Sequence, residues 1–173
     1  MRNPIDKLVT DRLLLIPYTI KICQSILNDD FTDLYDAGLK KGKGWPDHDV
    51  LETLPKIVVN LAAVENPTGF ESWMIIKNNT KEIIGDAGFK GFNPIDNSID
   101  IGYGIIQEER KKGYAEEASK ALIEWAFSTG IVKEISAKCA TDNLGSIHLL
   151  KKMGFSQVNQ DDKMIYWSST YSQ

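Results

Sequence analysis

Several things that define whole classes of protein are scarce in this chain. It has 2 cysteines in 173 residues, Cys23 and Cys139, far apart and in no metal-binding or redox spacing. Both sit among apolar neighbours, so they read as buried free thiols, with no disulfide and no metal site implied. No run of lysine and arginine is longer than Arg110-Lys111-Lys112, and the formal net charge is −4. Neutralising a phosphate backbone needs a basic face, so nucleic acid is not the expected partner. No apolar run approaches the ~20 residues of a membrane span, and Met1-Arg2-Asn3-Pro4 begins no apolar leader; the expected setting is cytoplasmic, away from membranes. A G-x-x-x-x-G-K-[ST] loop is missing, and Gly102-Tyr103-Gly104 lacks the third glycine of a dinucleotide fingerprint.

What is present suffices for one ordinary core: 42% of the residues are apolar and 25% charged, without repeats, low-complexity stretches or linkers, so residues 1–173 form a single domain. Leu13–Ile16 is a short apolar strand stopped by Pro17. Helical spacing follows at Ile20–Leu27, and again from Asp47 to Asn66, where Leu51, Leu54, Ile57, Val58 and Leu61 recur on one side. Gly42-Lys43-Gly44-Trp45-Pro46 interrupts this region and reads as a mobile loop. From Glu71 the period falls to two. Ser72–Lys77 and Glu82–Gly91 flank the turn Asn78–Lys81, and Asn93–Asn97 is a second turn. A strand at Ile99–Ile106, a helix from Gly113 to about Thr129, a strand at Val132–Cys139, a helix at Asn143–Met153 and strands at Phe155–Asn159 and Met164–Ser168 complete the pattern. Strands that first precede and then alternate with helices indicate an α+β or α/β sandwich on one mixed sheet.

The richest stretch is Ile99–Ala118. Ile99, Ile101, Tyr103 and Ile105 share one strand face; Asp100, Gly102 and Gly104 share the other. Two glycines there leave an open lane beside a carboxylate. The strand then enters Arg110-x-x-Gly113-x-Ala115, a basic turn that starts a helix whose apolar face carries Ala115, Ala118, Leu122 and Trp125. Backbone N–H groups and the positive end of a helix converge at such a turn, which suits a phosphate or pyrophosphate. A second segment, Asp142-Asn143-x-x-Ser146-x-x-Leu149-Leu150-x-Lys152-Met153-Gly154-Phe155, places Ser146 one turn into a helix on its apolar side, with Asp142 or Asn143 available as N-cap.

Together, and in this order, these segments resemble the GNAT superfamily of acyl-CoA-dependent N-acetyltransferases. Thr10-Asp11-Arg12-Leu13, Ile101-Gly102-Tyr103 and the N-x-x-S helix are similar to the branch that contains the ribosomal-protein N-terminal acetyltransferases (RimJ/RimL type). The resemblance implies a central, mostly antiparallel mixed sheet flanked by helices, and acetyl-CoA as the acyl donor. It implies that Gln107, Arg110, Lys111, Lys112, Gly113, Tyr114 and Ala115 surround the pyrophosphate of coenzyme A. It implies that Ile105 and Ile106 pair with the pantetheine arm, and that Asn143 and Ser146 lie beside it. Asp100 takes the place of an acidic general base that acts through water, and Ser146 that of a proton donor to the leaving thiolate. Leu150 stands where many relatives carry tyrosine for that second task, a departure that throws it onto Ser146 or solvent.

The expected acceptor is a primary amine, either a peptide N-terminus or a small molecule, in a pocket drawn from Trp45, Phe92 and Tyr103; Trp73 and Phe89, inside strands, are assigned to the core. An α-amine has a pKa of about 7.7–8.0 and a lysine amine about 10.4, so neutralising the latter costs roughly 3–4 kcal/mol more at pH 7 and favours an α-amine or an amine with a depressed pKa. A homodimer is compatible with the sequence. The alternative function is an acyl-CoA-binding sensor without turnover.

Overall fold

A computed structural model describes residues 5–171; Met1–Pro4, read above for a leader, lie outside the described residues. The strands are β1 (Leu8–Val9), β2 (Leu13–Pro17), β3 (Lys40–Lys41), β4 (Ser72–Lys77), β5 (Glu82–Asn93), β6 (Ser98–Ile105), β7 (Glu134–Ala140), β8 (Ser156–Gln160) and β9 (Met164–Thr170). The helices are α1 (Ile20–Leu27), α2 (Thr32–Asp36), α3 (His48–Ala62), α4 (Tyr114–Ser128) and α5 (Leu144–Lys152). Among the described residues the strands form one sheet in the order β1-β2-β4-β5-β6-β7-β9-β8, with β3 added alongside β5. All neighbouring pairs along that order are antiparallel except β6 and β7. This is the mixed, mostly antiparallel sheet expected.

Helices cover both faces. On one, α4 packs on β2, β5 and β6, and its Ala118 and Leu122 are fully buried. On the other, α1 and α3 pack together, and α3 reaches β5. Alternation along β6 feeds both layers: Ile99, Ile101 and Ile105 are buried, while Gly102 and Gly104 are exposed.

Three local expectations are corrected. The long helix stops at Ala62, four residues short of Asn66, and its core face is Val50, Leu54, Ile57 and Leu61; Leu51 is exposed. β5 runs on to Asn93. The segment Gly42–Pro46 is packed down: Gly42 N–H donates to Ile83 O at 3.0 Å, and Trp45 is 2% exposed against Phe31.

Candidate active site

The site begins where β6 and β7 part. Their parallel pairing holds for Ser98–Glu134, Ile99–Ile135 and Asp100–Ser136 and then ends, although β6 continues to Ile105 and β7 to Ala140. Twist between adjacent strands becomes a wedge once the ladder stops. From Ile101 onward the β7-facing edge of β6 therefore pairs with no strand among the described residues, and its backbone groups, apart from Ile105 O, are open to an extended ligand.

At the far end of that wedge lies the turn before α4. A 3-10 turn at Gln107–Glu109 leads to Arg110, whose Nε–H donates to Ile105 O at 2.8 Å and ties the turn to the strand end. Lys111 and Gly113 both adopt left-handed backbone, at φ 62° and 83°. Among the described residues, no backbone N–H from Lys111 to Ala115 donates to a protein acceptor. Gly113 is the N-cap of α4 and offers no side chain to satisfy them. A row of unspent donors at a helix N-terminus is a geometry that suits an anion. Its first turn is braced from outside: Glu117 accepts from the Thr10 hydroxyl, the Arg12 N–H and the Arg12 guanidinium, at 2.6, 2.9 and 2.6 Å.

On the α3 side of the same strand is a cavity of about 480 Å³. Its roof is one face of α3, including Val50, Thr53, Ile57 and Asn60, and its floor includes Gly102 and Gly104. A Cβ added to either glycine would meet nothing within 4 Å, so the lane read from the sequence is open space. Across from it on β5, Gly88 pairs with Gly102, and Asp86 pairs with Gly104.

Asp86 is a functional candidate that sequence reasoning missed. Its carboxyl faces the cavity, and burial, reinforced by the charge of Asp47, pushes its pKa up to about 7. It makes no hydrogen bond or ion pair with any described residue. Glu71, buried where Asp86 is only partly so, accepts from Thr68 N–H, the Thr68 hydroxyl and Gly69 N–H at 3.0, 2.8 and 3.0 Å. One carboxylate is satisfied by its own loop; the other is left for something from outside. Near Asp86, the Tyr18 hydroxyl is buried without a hydrogen-bond partner among the described residues. Burial first, and Asp86 second, raise the Tyr18 pKa well above its usual value.

The residues singled out from sequence are placed as follows. Ile105, Ile106 and Arg110 line the cavity or its mouth, and Lys111, Lys112, Gly113, Tyr114 and Ala115 form the turn beyond it. Asp100 lies at the last rung of the β6–β7 ladder, outside the cavity lining; Lys90 pairs with its Oδ2, and the Ser136 hydroxyl donates to its Oδ1 at 3.0 Å. Tyr103 lines the cavity and its hydroxyl neighbours Ser146, so β6 and α5 meet across the wedge. Burial raises the Tyr103 pKa, with the Ser146 contact opposing it. Asn143 caps α5, its Oδ1 accepting from Ser146 N–H at 3.1 Å. Leu150 is buried core.

Two pocket residues are corrected. Trp45 is a core residue outside this cavity, and Phe92 stacks on Phe70 at 5.5 Å between ring centroids, in the aromatic cluster with Phe89 and Trp125. Both belong to packing because each ring finds apolar neighbours that its position in sequence does not reveal.

Comparison with known proteins identifies the family. Residues 12–156 match the family model described as "Acetyltransferase (GNAT) domain". The chain is similar to the uncharacterized N-acetyltransferase YjdG of Bacillus subtilis (strain 168), with 34% identity over 160 residues, 92% of this chain and 95% of that one. Among solved structures, its fold is similar to a putative ribosomal-protein-serine acetyltransferase from Vibrio cholerae, with TM-score 0.68, 18% identity and coverage of 98% and 100%. It is also similar to RimL, a ribosomal L7/L12 α-N-protein acetyltransferase in complex with coenzyme A, with TM-score 0.66, 15% identity and coverage of 94% and 96%. The chain belongs to the GNAT family of acetyltransferases.

Proposed function

We propose that the protein transfers the acetyl group of acetyl-CoA to a primary amine, a peptide α-amine or the amine of a small molecule, by direct attack while both substrates are bound. One observation carries the reading: an open strand edge, an unspent row of N–H groups and a partly open cavity all adjoin β6. The residues fit the donor. Lys111–Ala115 offer backbone donors for a pyrophosphate, and the free edge of β6 near Ile105 suits an amide-bearing pantetheine arm. Bound there, coenzyme A supplies an activated acetyl thioester. The structural neighbour RimL, solved with coenzyme A, supports coenzyme A as the ligand.

The protein's own contribution is mostly positional. Holding amine and acyl carbon in line can lower a bimolecular barrier by about 7–11 kcal/mol. Strand N–H groups near Ile105 stabilise the developing oxyanion, and the Ser146 hydroxyl, beside Tyr103, donates a proton to the departing sulfur. A thiol is a good leaving group, so this last contribution is modest. Asp100, with both carboxylate oxygens engaged by Lys90 and Ser136, is assigned to holding the mouth of the wedge, with any base role reaching substrate through water. No helix among the described residues is long and apolar enough to cross a membrane, and we infer a cytoplasmic enzyme.

Release of free thiol from acetyl-CoA, followed over a panel of primary amines and short peptides, tests the reading. Turnover with at least one acceptor is expected. Tight acetyl-CoA binding without turnover on any acceptor favours the acyl-CoA sensor instead.

A further inference from the structure

Resting on that reading, we propose that Asp86 receives the acceptor amine as its ammonium ion and takes the first proton from it, which makes an aliphatic primary amine, charged at neutral pH, the substrate class. Asp86 is the cavity-lining carboxylate on the sheet floor, and its ladder partner Gly104 has no side chain to cover it. Among the described residues it has no hydrogen-bond donor or cation of its own, and a carboxylate half-buried between sheet and helices without one is costly. An ammonium group supplies both. Asp100 cannot do the same job at the same point: it lies four residues along β6 from Gly104, about 13 Å at ~3.3 Å per residue, and already holds Lys90.

The charged and titratable groups around Asp86 leave this role to it. Tyr18 and Cys23 face it from the start of α1, and Asp47 from the N-cap of α3. Burial and Asp86 raise both Tyr18 and Cys23, the latter to about 12, so neither changes charge near neutrality. Asp47 is spent on capping, accepting from Val50 N–H at 2.9 Å, but its charge still favours a cation nearby. Asp49, Lys56, Lys90 and Arg110 line the rest of the cavity, and Tyr103 faces the wedge. Arg110 leans toward Asp49 at 3.7 Å, and Lys90 toward Asp100, so neither supplies Asp86 with a counter-charge.

The ammonium gives one proton to the Asp86 carboxylate, and the neutral amine attacks the acetyl carbonyl carbon. A C–N bond forms and the C–S bond breaks. The second nitrogen proton leaves with the thiol, the third stays on the amide, and Asp86 returns the first to water.

The test compares wild type with Asp86→Asn, using n-alkylamines, α-amino tripeptides and arylamines that are uncharged at pH 7. Wild-type kcat/KM for an alkylamine should rise up to pH about 7, stay level until the amine loses its charge, and exceed that for arylamines. Asp86→Asn should lose 100-fold or more in kcat/KM and lose the limb near pH 7, while acetyl-CoA still raises its Tm as in wild type. A readout independent of turnover is the carboxyl carbon resonance of Asp86 in wild type, which should titrate near pH 7 and move when n-propylamine is added. Wild-type activity that Asp86→Asn retains within about threefold, with the same pH profile, overturns the proposal. So does a resonance that titrates in the ordinary carboxylate range and ignores the amine. Wild type that releases no thiol with any amine overturns the acetyltransferase reading itself, a distinct outcome.

Discussion

Asp86 on β5 and Gly104 on β6 are direct partners across the sheet: one brings a carboxylate without a hydrogen-bond partner among the described residues, the other an absent side chain. That pair turns the middle of a strand ladder into the floor of a cavity, and it ties the glycine lane to the chemistry.

Filling the lane should separate binding from folding. Gly104→Val places a β-branched side chain where open space now lies, in backbone that any residue adopts. Strand propensity favours valine by as much as about 1 kcal/mol. We expect unchanged or higher Tm, an amine KM raised at least tenfold, and an unaltered thermal response to acetyl-CoA. A drop in Tm with KM intact contradicts this role for the lane.

Asp86 also sets a stability trend with pH. Its carboxyl pKa is about 7 in the fold, above the usual ~3.9, so the unfolded chain ionises first. Stability is full below the ordinary carboxylate pKa and declines as pH rises to about 7, by a few kcal/mol. Asp86→Asn removes that decline. Calorimetry should find the two proteins similar at pH 4 and the variant more stable at pH 8, by roughly 5–10 °C. A difference that does not change with pH contradicts the buried ionisation.

Gly113 is a donor-site test. Its φ of 83° costs a residue with a Cβ about 1–2 kcal/mol, and a Cβ there would stand 3.3 Å from Arg12 Nη2. Gly113→Val should distort the Lys111–Ala115 donors and weaken acetyl-CoA at least tenfold, with a smaller loss of stability. In wild type, ligand at 100 times Kd should add about 2.7 kcal/mol; calorimetry should find that increment reduced in the variant. Equal increments in both remove this role for the turn.

Trp45 and Ser146 give opposite signatures. Trp45→Ala empties a core position and should cost about 3–5 kcal/mol of stability without changing the amine KM of the protein that remains folded. Ser146→Ala should leave stability nearly unchanged and lower kcat about tenfold or less, with Tyr103→Phe non-additive because the two hydroxyls are neighbours. Additive effects in the double variant indicate independent roles.

The strand–turn–helix around Gly113 was legible because each piece has a local signature: alternation in β6, a basic turn, a glycine, then helical spacing. The open lane was legible for the same reason, since a glycine's missing side chain is visible in the sequence. Asp86 was not. Within Glu82–Phe89 it reads as an ordinary polar residue of a hairpin strand, and its burial comes from α1 and α3, which fold over that face from far away in sequence. A signal was present: Ile83, Ile84, Gly85, Ala87, Gly88 and Phe89 are all buried, so the strand has no solvent face for a charge to occupy. Trp45 misled in the reverse sense, since a tryptophan between glycine and proline looks like a pocket wall until Phe31 is found packed against it.

The most direct test of the central claim is thiol release by the wild-type protein at saturating acetyl-CoA, with the amine panel run at pH 7.5 and acetylated product identified by mass. The account predicts turnover that depends on an aliphatic primary amine and yields the N-acetyl derivative. Acetyl-CoA that stabilises the protein yet is never consumed, whatever amine is offered, would contradict it.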